Sequence, residues 1–177
     1  PYGGAIGAVE HHSESPETIY CHTAGLKVVT PSSAADAYSL LRQSIETDDP
    51  VIFLEPKRRY WAKQEVELPV ETEPIGQAKV LRPGSDLTLV AYGPMVKVAL
   101  DAAEAAEEEG VGSLEVIDLR SLVPLDEETL VASAARTGRM VVVHEAPQFL
   151  GLGAEIAARV SEAAFFHLEA PVLRCTG

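Results

Sequence analysis

Short apolar runs alternate with helix-like amphipathic segments along most of this chain. Four runs in its second half, at residues 87–91, 114–117, 140–143 and 172–173, are each continuous, apolar and bounded by turn residues. Runs of this kind predict buried strands, and the spacing of the apolar residues between them predicts three helices. Strands that alternate with helices indicate an open parallel sheet covered by helices on both faces.

Start and stop signals bound these three helices. The first ends at Gly110, where a glycine suits the left-handed conformation that follows a helix. The second begins after Asp126, a residue type that caps exposed backbone N–H groups, and it ends before Gly138. The third begins after residues 151–153.

The first half carries one strand–helix–strand unit. Residues 26–29 predict a short strand, and Ser32 or Ser33 is a suitable N-cap for the helix that follows. That helix ends before Pro50, because proline disfavours a helical residue ahead of it. The continuous apolar run 51–54 predicts a strand that is buried on both faces. An apolar stripe at helical spacing lies along the helix and consists of Tyr38, Leu41 and Ile45.

A polar connection separates the two halves. Residues 55–73 contain two prolines and a basic run, a composition typical of a connecting segment rather than of a strand or helix. We therefore divide the chain into a first part, 1–60, an interdomain strap, 61–75, and a second part, 76–177.

Charge and composition exclude several classes of function. The net charge of −13 argues against a nucleic-acid partner, because such binding depends on Lys and Arg. No apolar stretch reaches the roughly 18–20 residues that span a bilayer, so no membrane association is expected. The two cysteines are far apart in sequence, which fits a reducing, cytoplasmic setting. The chain opens without a methionine and ends in a strand-like run. We therefore expect the sequence to have been cut at both ends.

The segment with the clearest functional pattern is residues 3–17, where glycines lead into a histidine pair and then a helix start. Glycine lets a backbone lie close to a ligand, and histidine titrates near neutral pH. Adjacent residues of an extended segment face opposite ways, so one of His11 and His12 faces a site while the other packs or meets solvent. This argues against a two-histidine metal clamp. The alternative is a tight turn followed by surface histidines.

Three loops follow predicted strands at the edge where parallel sheets bind ligands. Gly93 comes directly after a strand and before a helix, but neither a dinucleotide fingerprint nor a phosphate-binding loop is present. The pair His144 and Glu145 has two interpretations. It is either a general acid or base oriented by a carboxylate, or a pair that satisfies backbone groups at a domain interface.

Several stretches resemble the β subunit of the thiamine-diphosphate-dependent decarboxylase component of 2-oxo acid dehydrogenase complexes. They are, in chain order, PYGG at 1–4, HSESPE at 12–17, GLKVV at 25–29, PVIFLEPK at 50–57, VIDLR at 116–120 and HEAP at 144–147. The resemblance covers essentially the whole chain. The sequence LEPK at 54–57 is more similar to the branched-chain type than to the pyruvate type. Acetoin enzymes are close relatives.

The resemblance implies an α/β, transketolase-like architecture. Residues 1–60 would be the latter part of a pyrimidine-binding domain, and 76–177 an open parallel-sheet C-terminal domain. Two α and two β subunits would share thiamine diphosphate at the α–β interface and dock on a lipoyl acyltransferase core. The α subunit would hold the magnesium and the diphosphate, so no cofactor-binding residue is assigned to this chain. The carboxylate that contacts the aminopyrimidine would lie upstream of Pro1. The expected location is the bacterial cytoplasm or, in a eukaryote, the mitochondrial matrix.

The resemblance also implies site residues. His12 matches the family's active-site histidine, which would handle protons during decarboxylation and acyl transfer to lipoamide. The family also binds a structural potassium ion at a helix end, which implies Ser44, Thr47 and Asp49 here, mainly through backbone oxygens. Carbonyls at the end of a helix lack partners, and oxygen ligands suit a hard cation.

The function that the resemblance implies is oxidative decarboxylation of a branched-chain 2-oxo acid, with transfer of the acyl group to lipoamide. The alternatives are a non-catalytic fragment that serves assembly, a pyruvate or acetoin dehydrogenase subunit, and another thiamine enzyme of the transketolase group. Since the cofactor site would be shared between subunits, we expect this chain to be inactive by itself.

Overall fold

The computed structural model describes residues 1–4, 6–8, 11–70 and 72–177. No helix in these ranges is long and apolar enough to cross a membrane. The helices are α1 (Glu17–Cys21), α2 (Ala34–Glu46), α3 (Met95–Glu108), α4 (Glu127–Thr137) and α5 (Leu152–Ala163). The strands are β1 (Lys27–Val29), β2 (Val51–Phe53), β3 (Lys79–Arg82), β4 (Leu87–Ala91), β5 (Leu114–Asp118), β6 (Ser121–Val123), β7 (Met140–Val143) and β8 (Leu173–Cys175).

The second part contains a five-stranded sheet in the order β3-β5-β4-β7-β8. The four strands predicted there are confirmed, and they pair in parallel. The sheet also has a fifth strand that was not predicted, β3, which pairs antiparallel with β5 at one edge. A parallel neighbour needs a long crossover, whereas an antiparallel edge strand needs none, and the short polar run of β3 gave no strand signal.

Helices cover both faces of this sheet, as predicted. Leu89 and Ala91 of β4 pack on one side against Val96 of α3. Val90, which lies between them, packs on the other side with Leu130 of α4 and Ile156 of α5. Successive side chains of a strand point to opposite faces, so a continuous apolar run fills two cores at once.

The predicted caps of α2 and α4 are confirmed, whereas α5 begins at Leu152, earlier than the predicted start after residues 151–153. The backbone N–H of Asp36 donates to Ser33 Oγ at 3.1 Å, which makes Ser33 the N-cap of α2. Asp126 Oδ1 accepts from the N–H of Thr129 at 3.1 Å at the start of α4. Gly138 follows α4 with φ 70°, the left-handed conformation that glycine adopts at little cost.

A smaller sheet with the order β2-β1-β6 joins the two parts. β1 and β2 are parallel, as the strand–helix–strand pattern predicted. β6 comes from the second part of the chain and pairs antiparallel with β1. The prediction that the run 51–54 is buried on both faces is wrong for β2, whose three residues are all half-buried. β2 pairs with one strand among the described residues, so this chain does not cover it completely.

The side of α2 that this chain buries is mixed and carries Asp36, Ser39 and Leu40. The predicted apolar stripe is exposed instead: Tyr38 is 39%, Leu41 48% and Ile45 76% accessible. The periodicity predicted the helix correctly but did not reveal which side this chain buries.

The strap contains no regular strand or α-helix among its described residues; Glu71 lies outside them. It begins after a 3₁₀ turn, Lys57–Arg59, and then runs along α2. Gln43 of α2 holds it, because its side-chain amide accepts from the N–H of Ile75 at 2.8 Å and donates to the carbonyl of Glu73 at 3.3 Å. The division at 1–60, 61–75 and 76–177 stays a prediction, since β6 crosses between the parts.

Candidate functional site

His12 lies in a loop whose two ends are joined by one backbone hydrogen bond. The N–H of Gly3 donates to the carbonyl of Glu14 at 2.8 Å and closes the loop 3–14. Its base is fixed to the end of the first part, because the N–H of Tyr2 donates to the carbonyl of Glu55 at 2.9 Å. The base of the loop is therefore joined to Glu55, between β2 and the strap.

Contacts along the loop hold its far side. His12 is exposed, and its carbonyl oxygen accepts a hydrogen bond from Nζ of Lys57. Ser13 Oγ donates to the carbonyl of Ala8 across the loop. The glycine-rich run that was predicted to form the wall of a site includes Ala5, Val9 and Glu10, which lie outside the described residues.

The second histidine of the pair has a different partner. Glu14 Oε1 lies 3.2 Å from Nδ1 of His11, and both side chains are exposed. His11 has φ 57°, an uncommon conformation for a residue with a side chain, and it turns the backbone just before His12. Both histidines are exposed, so the structure gives the solvent-facing form of the expectation that one of the pair packs or meets solvent, and which of them faces a site stays a prediction.

A buried polar cluster lies beneath the loop. The hydroxyl of Tyr92 donates to Glu17 Oε1 at 2.7 Å, and Glu17 is completely buried. Burial raises the pKa of the Glu17 carboxyl, because a low-dielectric environment disfavours the charged form. The Tyr2 hydroxyl lies 2.8 Å from Thr30 Oγ1. These hydrogen bonds join the residue before the loop to the end of β1, and the helix after the loop to the residue that follows β4.

Gly93 serves this cluster and not a nucleotide. It has φ 54°, and a Cβ at this position would lie 2.0 Å from the Tyr2 hydroxyl. The glycine after β4 is therefore required for close packing of Tyr2. This explains a glycine at the strand end without a phosphate ligand.

The pair His144 and Glu145 contacts the loop through one member. Glu145 Oε1 accepts from the N–H of Gly4 at 2.9 Å. His144 is only 1% accessible and stacks on Tyr92 with ring centroids 6.1 Å apart. Burial lowers the pKa of His144, so its ring stays neutral at physiological pH. The geometry favours the interpretation of a pair at a domain interface, since a general acid or base needs access to substrate.

The loop after β5 forms a clasp between the parts, centred on Arg120. Arg120 is fully buried; its Nε donates to Asp36 Oδ1 of α2 at 2.7 Å. One terminal nitrogen donates to Thr72 Oγ1 at 2.6 Å and the other to the carbonyl of Gln77 at 3.1 Å, both on or next to the strap. One side chain thus joins the loop after β5 to α2 and to the strap region. We did not predict this clasp; the only signal was a charged pair, Asp118 and Arg120, directly after a buried strand.

Asp118 completes the clasp from the end of β5. Its carboxylate accepts from Ser32 Oγ and from the N–H of Arg120, at 3.0 Å for the latter. Burial is the main cause that raises the pKa of Asp118 to about 7. This contact joins the loop before α2 to the second part of the chain.

The residues assigned to potassium already hold a cation of this chain. Nζ of Lys27 lies 2.8 Å from Asp49 Oδ2 and 3.1 Å from Thr47 Oγ1. Ser44 Oγ donates to the carbonyl of Leu40 at 2.6 Å. The side-chain oxygens of the predicted set therefore fit the Lys27 ammonium, and a potassium site through backbone oxygens stays a prediction. In the described part of the chain, no three His, Cys, Asp or Glu side chains are grouped as metal ligands.

An apolar groove of about 310 Å³ lies between α2, the end of β2 and the start of the strap. Its lining includes Ala37, Leu41, Phe53, Pro56 and Tyr60. Leu41 belongs to both this groove and the exposed stripe of α2. The first part therefore presents apolar surface on the same side as its unburied helix face.

Two family models match this chain. Residues 1–62 match "Transketolase, pyrimidine binding domain", and residues 76–177 match "Transketolase, C-terminal domain". Together they cover nearly the whole sequence, and they confirm the resemblance in fold that the motifs predicted.

Curated relatives match the full length of the chain. It is 56% identical to "3-methyl-2-oxobutanoate dehydrogenase subunit beta" of Mycobacterium tuberculosis, over 100% of this chain and 51% of the relative. It is 53% identical to "Pyruvate dehydrogenase E1 component subunit beta" of Leifsonia xyli, over 100% of this chain and 52% of the relative. The chain thus spans about half the length of the curated relatives it matches.

A solved structure has the same fold. It is described as "Split gene transketolase, inactive beta4 tetramer", with a TM-score of 0.73 and 32% identity. The match covers 90% of this chain and 50% of the other. The sheet order and the two-part architecture are therefore those of a known fold.

Proposed function

Because the chain belongs to the transketolase family, in the group that contains the β subunits of 2-oxo acid dehydrogenases, we propose that its complete subunit catalyses oxidative decarboxylation of a branched-chain 2-oxo acid. The acyl group passes to lipoamide. The observation that carries the proposal is 56% identity, over every residue of this chain, to a relative named for 3-methyl-2-oxobutanoate. At this identity the pocket walls are expected to share their chemistry.

His12 is the residue to which we assign the proton chemistry. Its imidazole is exposed on a loop that is fixed at its base and at the His12 carbonyl. A neutral imidazole accepts a proton near physiological pH and returns it in a later step. Thiamine diphosphate, when bound, supplies the stabilisation of a carbanion that decarboxylation requires. This chain supplies the histidine.

The proposed assembly follows from where this loop lies. His12 is exposed in the described part of the chain, and we propose that another subunit supplies the opposite wall of the pocket. We assign that wall, with the magnesium and the diphosphate contacts, to an α subunit, in an assembly of two α and two β chains. A lipoyl acyltransferase core is the proposed acceptor. The proposed location is the bacterial cytoplasm or the mitochondrial matrix.

A second candidate substrate is pyruvate. The Leifsonia xyli relative named for pyruvate is 53% identical over the same residues, only slightly less than the branched-chain relative. Hydrophobic pockets separate substrates that differ by one or two methylenes by roughly 10–200-fold. Comparison of kcat/KM for 3-methyl-2-oxobutanoate and pyruvate therefore decides between them, and a tenfold preference for pyruvate would reject the branched-chain assignment.

The test of the enzyme assignment uses the full-length subunit assembled with its α subunit. Decarboxylation of 3-methyl-2-oxobutanoate is measured with an artificial electron acceptor, and acylation of lipoamide is measured separately. His12→Ala is expected to reduce lipoamide acylation about 100-fold or more, the usual loss for a general acid–base residue. His22→Ala, an exposed histidine on α1's C-cap, is the matched control and keeps wild-type rates.

The outcomes separate catalysis from assembly. A correctly assembled wild-type tetramer without turnover on either 2-oxo acid would favour the alternative in which this subunit serves assembly. Turnover that is unaffected by His12→Ala would keep the enzyme assignment but reject the role of His12.

A further inference from the structure

One carboxylate from the second part reaches the start of the His12 loop. Glu145 Oε1 accepts the N–H of Gly4 at 2.9 Å, although the two residues are 141 positions apart in sequence. Gly4 is the first residue after the hydrogen bond that closes the loop, between Gly3 and Glu14. The contact therefore acts at the point from which the loop departs.

The two glycines and the carboxylate fit each other sterically. A Cβ on Gly3 would lie 2.9 Å from Glu145 Oε2, and a Cβ on Gly4 would lie 3.3 Å from Oε1. Both carboxylate oxygens thus lie against the glycine backbone, one on each residue. A side chain at either glycine would require the Glu145 carboxylate to shift, and Gly3 in addition has φ 84°, a conformation that favours glycine.

The backbone that carries Glu145 is held on both sides. The N–H of His144 donates to the carbonyl of Cys175 at 3.0 Å, and the carbonyl of Ala146 accepts from the N–H of Gly177 at 3.4 Å. Glu145 is the second residue after β7, whose neighbour in the sheet is β8. Hydrogen bonds at the two neighbouring residues fix the backbone position of Glu145, which an unsupported loop would not do.

We propose that Glu145 is a positioning residue, which fixes the loop carrying His12 by binding the backbone of Gly4 from the end of β7. The inference rests on the proposed function, because it matters for catalysis only if His12 works in the reaction. Glu145 contacts the backbone of the loop and is not assigned to the reacting atoms. Its effect on the reaction is to keep the imidazole at a constant place relative to the wall that the other subunit supplies.

The charge and the hydrogen bond of Glu145 can be separated by substitution. Glu145→Gln keeps an oxygen acceptor of the same length at Gly4 and removes the charge. Glu145→Leu removes the acceptor and leaves the Gly4 N–H unpaired beneath the loop. Glu128→Leu, at an exposed carboxylate of α4 in the same part of the chain, is the matched control.

The experiment uses the full-length subunit in its assembled form and has two arms. In the first, amide hydrogen exchange is followed in peptides that cover residues 3–14, without substrate. Glu145→Leu is expected to exchange about tenfold faster there, as expected for one lost hydrogen bond, whereas Glu145→Gln stays within about threefold of wild type. Peptides from α5 report whether the second part is still folded.

In the second arm, kcat and KM for the 2-oxo acid are measured. A misplaced His12 imidazole slows the reaction more than it weakens substrate binding. Glu145→Leu is therefore expected to lower kcat about tenfold to 100-fold and to leave KM within about threefold of wild type. Glu145→Gln is expected to restore most of the rate. A structural role alone would not give this split together with rescue by the amide.

A double-mutant cycle tests the contact from the loop side. Gly4→Ala places a Cβ against Glu145 Oε1 without any change at β7. If the two residues act through one contact, Gly4→Ala loosens the loop in the wild-type background and adds little to Glu145→Leu. Additive effects would overturn the proposal, because the residues would then act independently.

Failure of the inference is distinguishable from failure of the proposed function. Unchanged exchange in residues 3–14 of Glu145→Leu overturns the positioning role, whatever the enzyme does. Faster exchange with wild-type kcat also overturns it, since the loop position would then not limit the reaction. A wild-type assembly without turnover rejects the proposed function, and the exchange arm and the cycle still decide whether Glu145 holds the loop.

Discussion

The two parts of this molecule reach stability in different ways. The second part buries both faces of its sheet with its own helices, and its helix ends are capped by neighbours in sequence. The first part exposes the apolar stripe of α2 and leaves β2 half-buried, and its His12 loop is held by Lys57, just before the strap, and by Glu145, in the loop after β7. The first part, to which we assign the chemistry, is therefore the region that this chain does not complete alone.

The clasp at Arg120 gives the largest predicted effect on this comparison. Arg120→Met removes a fully buried cation and leaves the buried carboxylate of Asp36 without its ion-pair partner. Removal of one partner of a buried ion pair costs about 3–5 kcal/mol. The free energy of unfolding in denaturant should fall by that amount. Arg58→Met, at an exposed arginine, should change it by less than about 0.5 kcal/mol. A loss below about 1 kcal/mol at Arg120 would show that the parts do not depend on the clasp.

Two leucines test the comparison directly. Leu130 of α4 is completely buried in the second part, and Leu41 of α2 is 48% exposed in the first. Leu130→Ala should lower the free energy of unfolding of this chain by about 2–5 kcal/mol, as for buried leucines in general. Leu41→Ala should change it by about 0.5 kcal/mol or less. Equal losses at the two sites would contradict the view that the apolar stripe of α2 is unpartnered in this chain.

The sequence predicted the second part better than the first for a physical reason. Apolar runs, Asp126 and Gly138 are local signals, and they suffice where each element packs on its sequence neighbours. β6 and the Arg120 clasp depend on contacts between residues that are distant in sequence, so no local sequence pattern predicts them. His12 came from its motif, whereas the anchor at Glu145 required the coordinates, since a histidine–glutamate pair alone leaves two interpretations open.

The smallest predicted effect is on the pH dependence of stability. Asp118 has a pKa raised to about 7 by burial, above its value in an unfolded chain. The folded state therefore binds more protons between about pH 4 and 7, and the contribution of Asp118 to stability is lost as the pH rises through that range. Asp118→Asn should flatten this fall by at least about 1 kcal/mol, measured as the free energy of unfolding against pH. Asp48→Asn, at an exposed carboxylate, should leave the slope unchanged. An unchanged slope in Asp118→Asn would mean that the carboxyl is ionised in the clasp.

We propose that the loop carrying His12 forms one wall of a pocket that is shared with another subunit. Hydrogen exchange of the full-length subunit, measured alone and after assembly with its α subunit, tests this most directly. We predict strong protection in peptides covering residues 3–14 on assembly, with unchanged exchange in peptides from α5, whose packing lies within this chain. Exchange in residues 3–14 that is the same before and after assembly would contradict the claim.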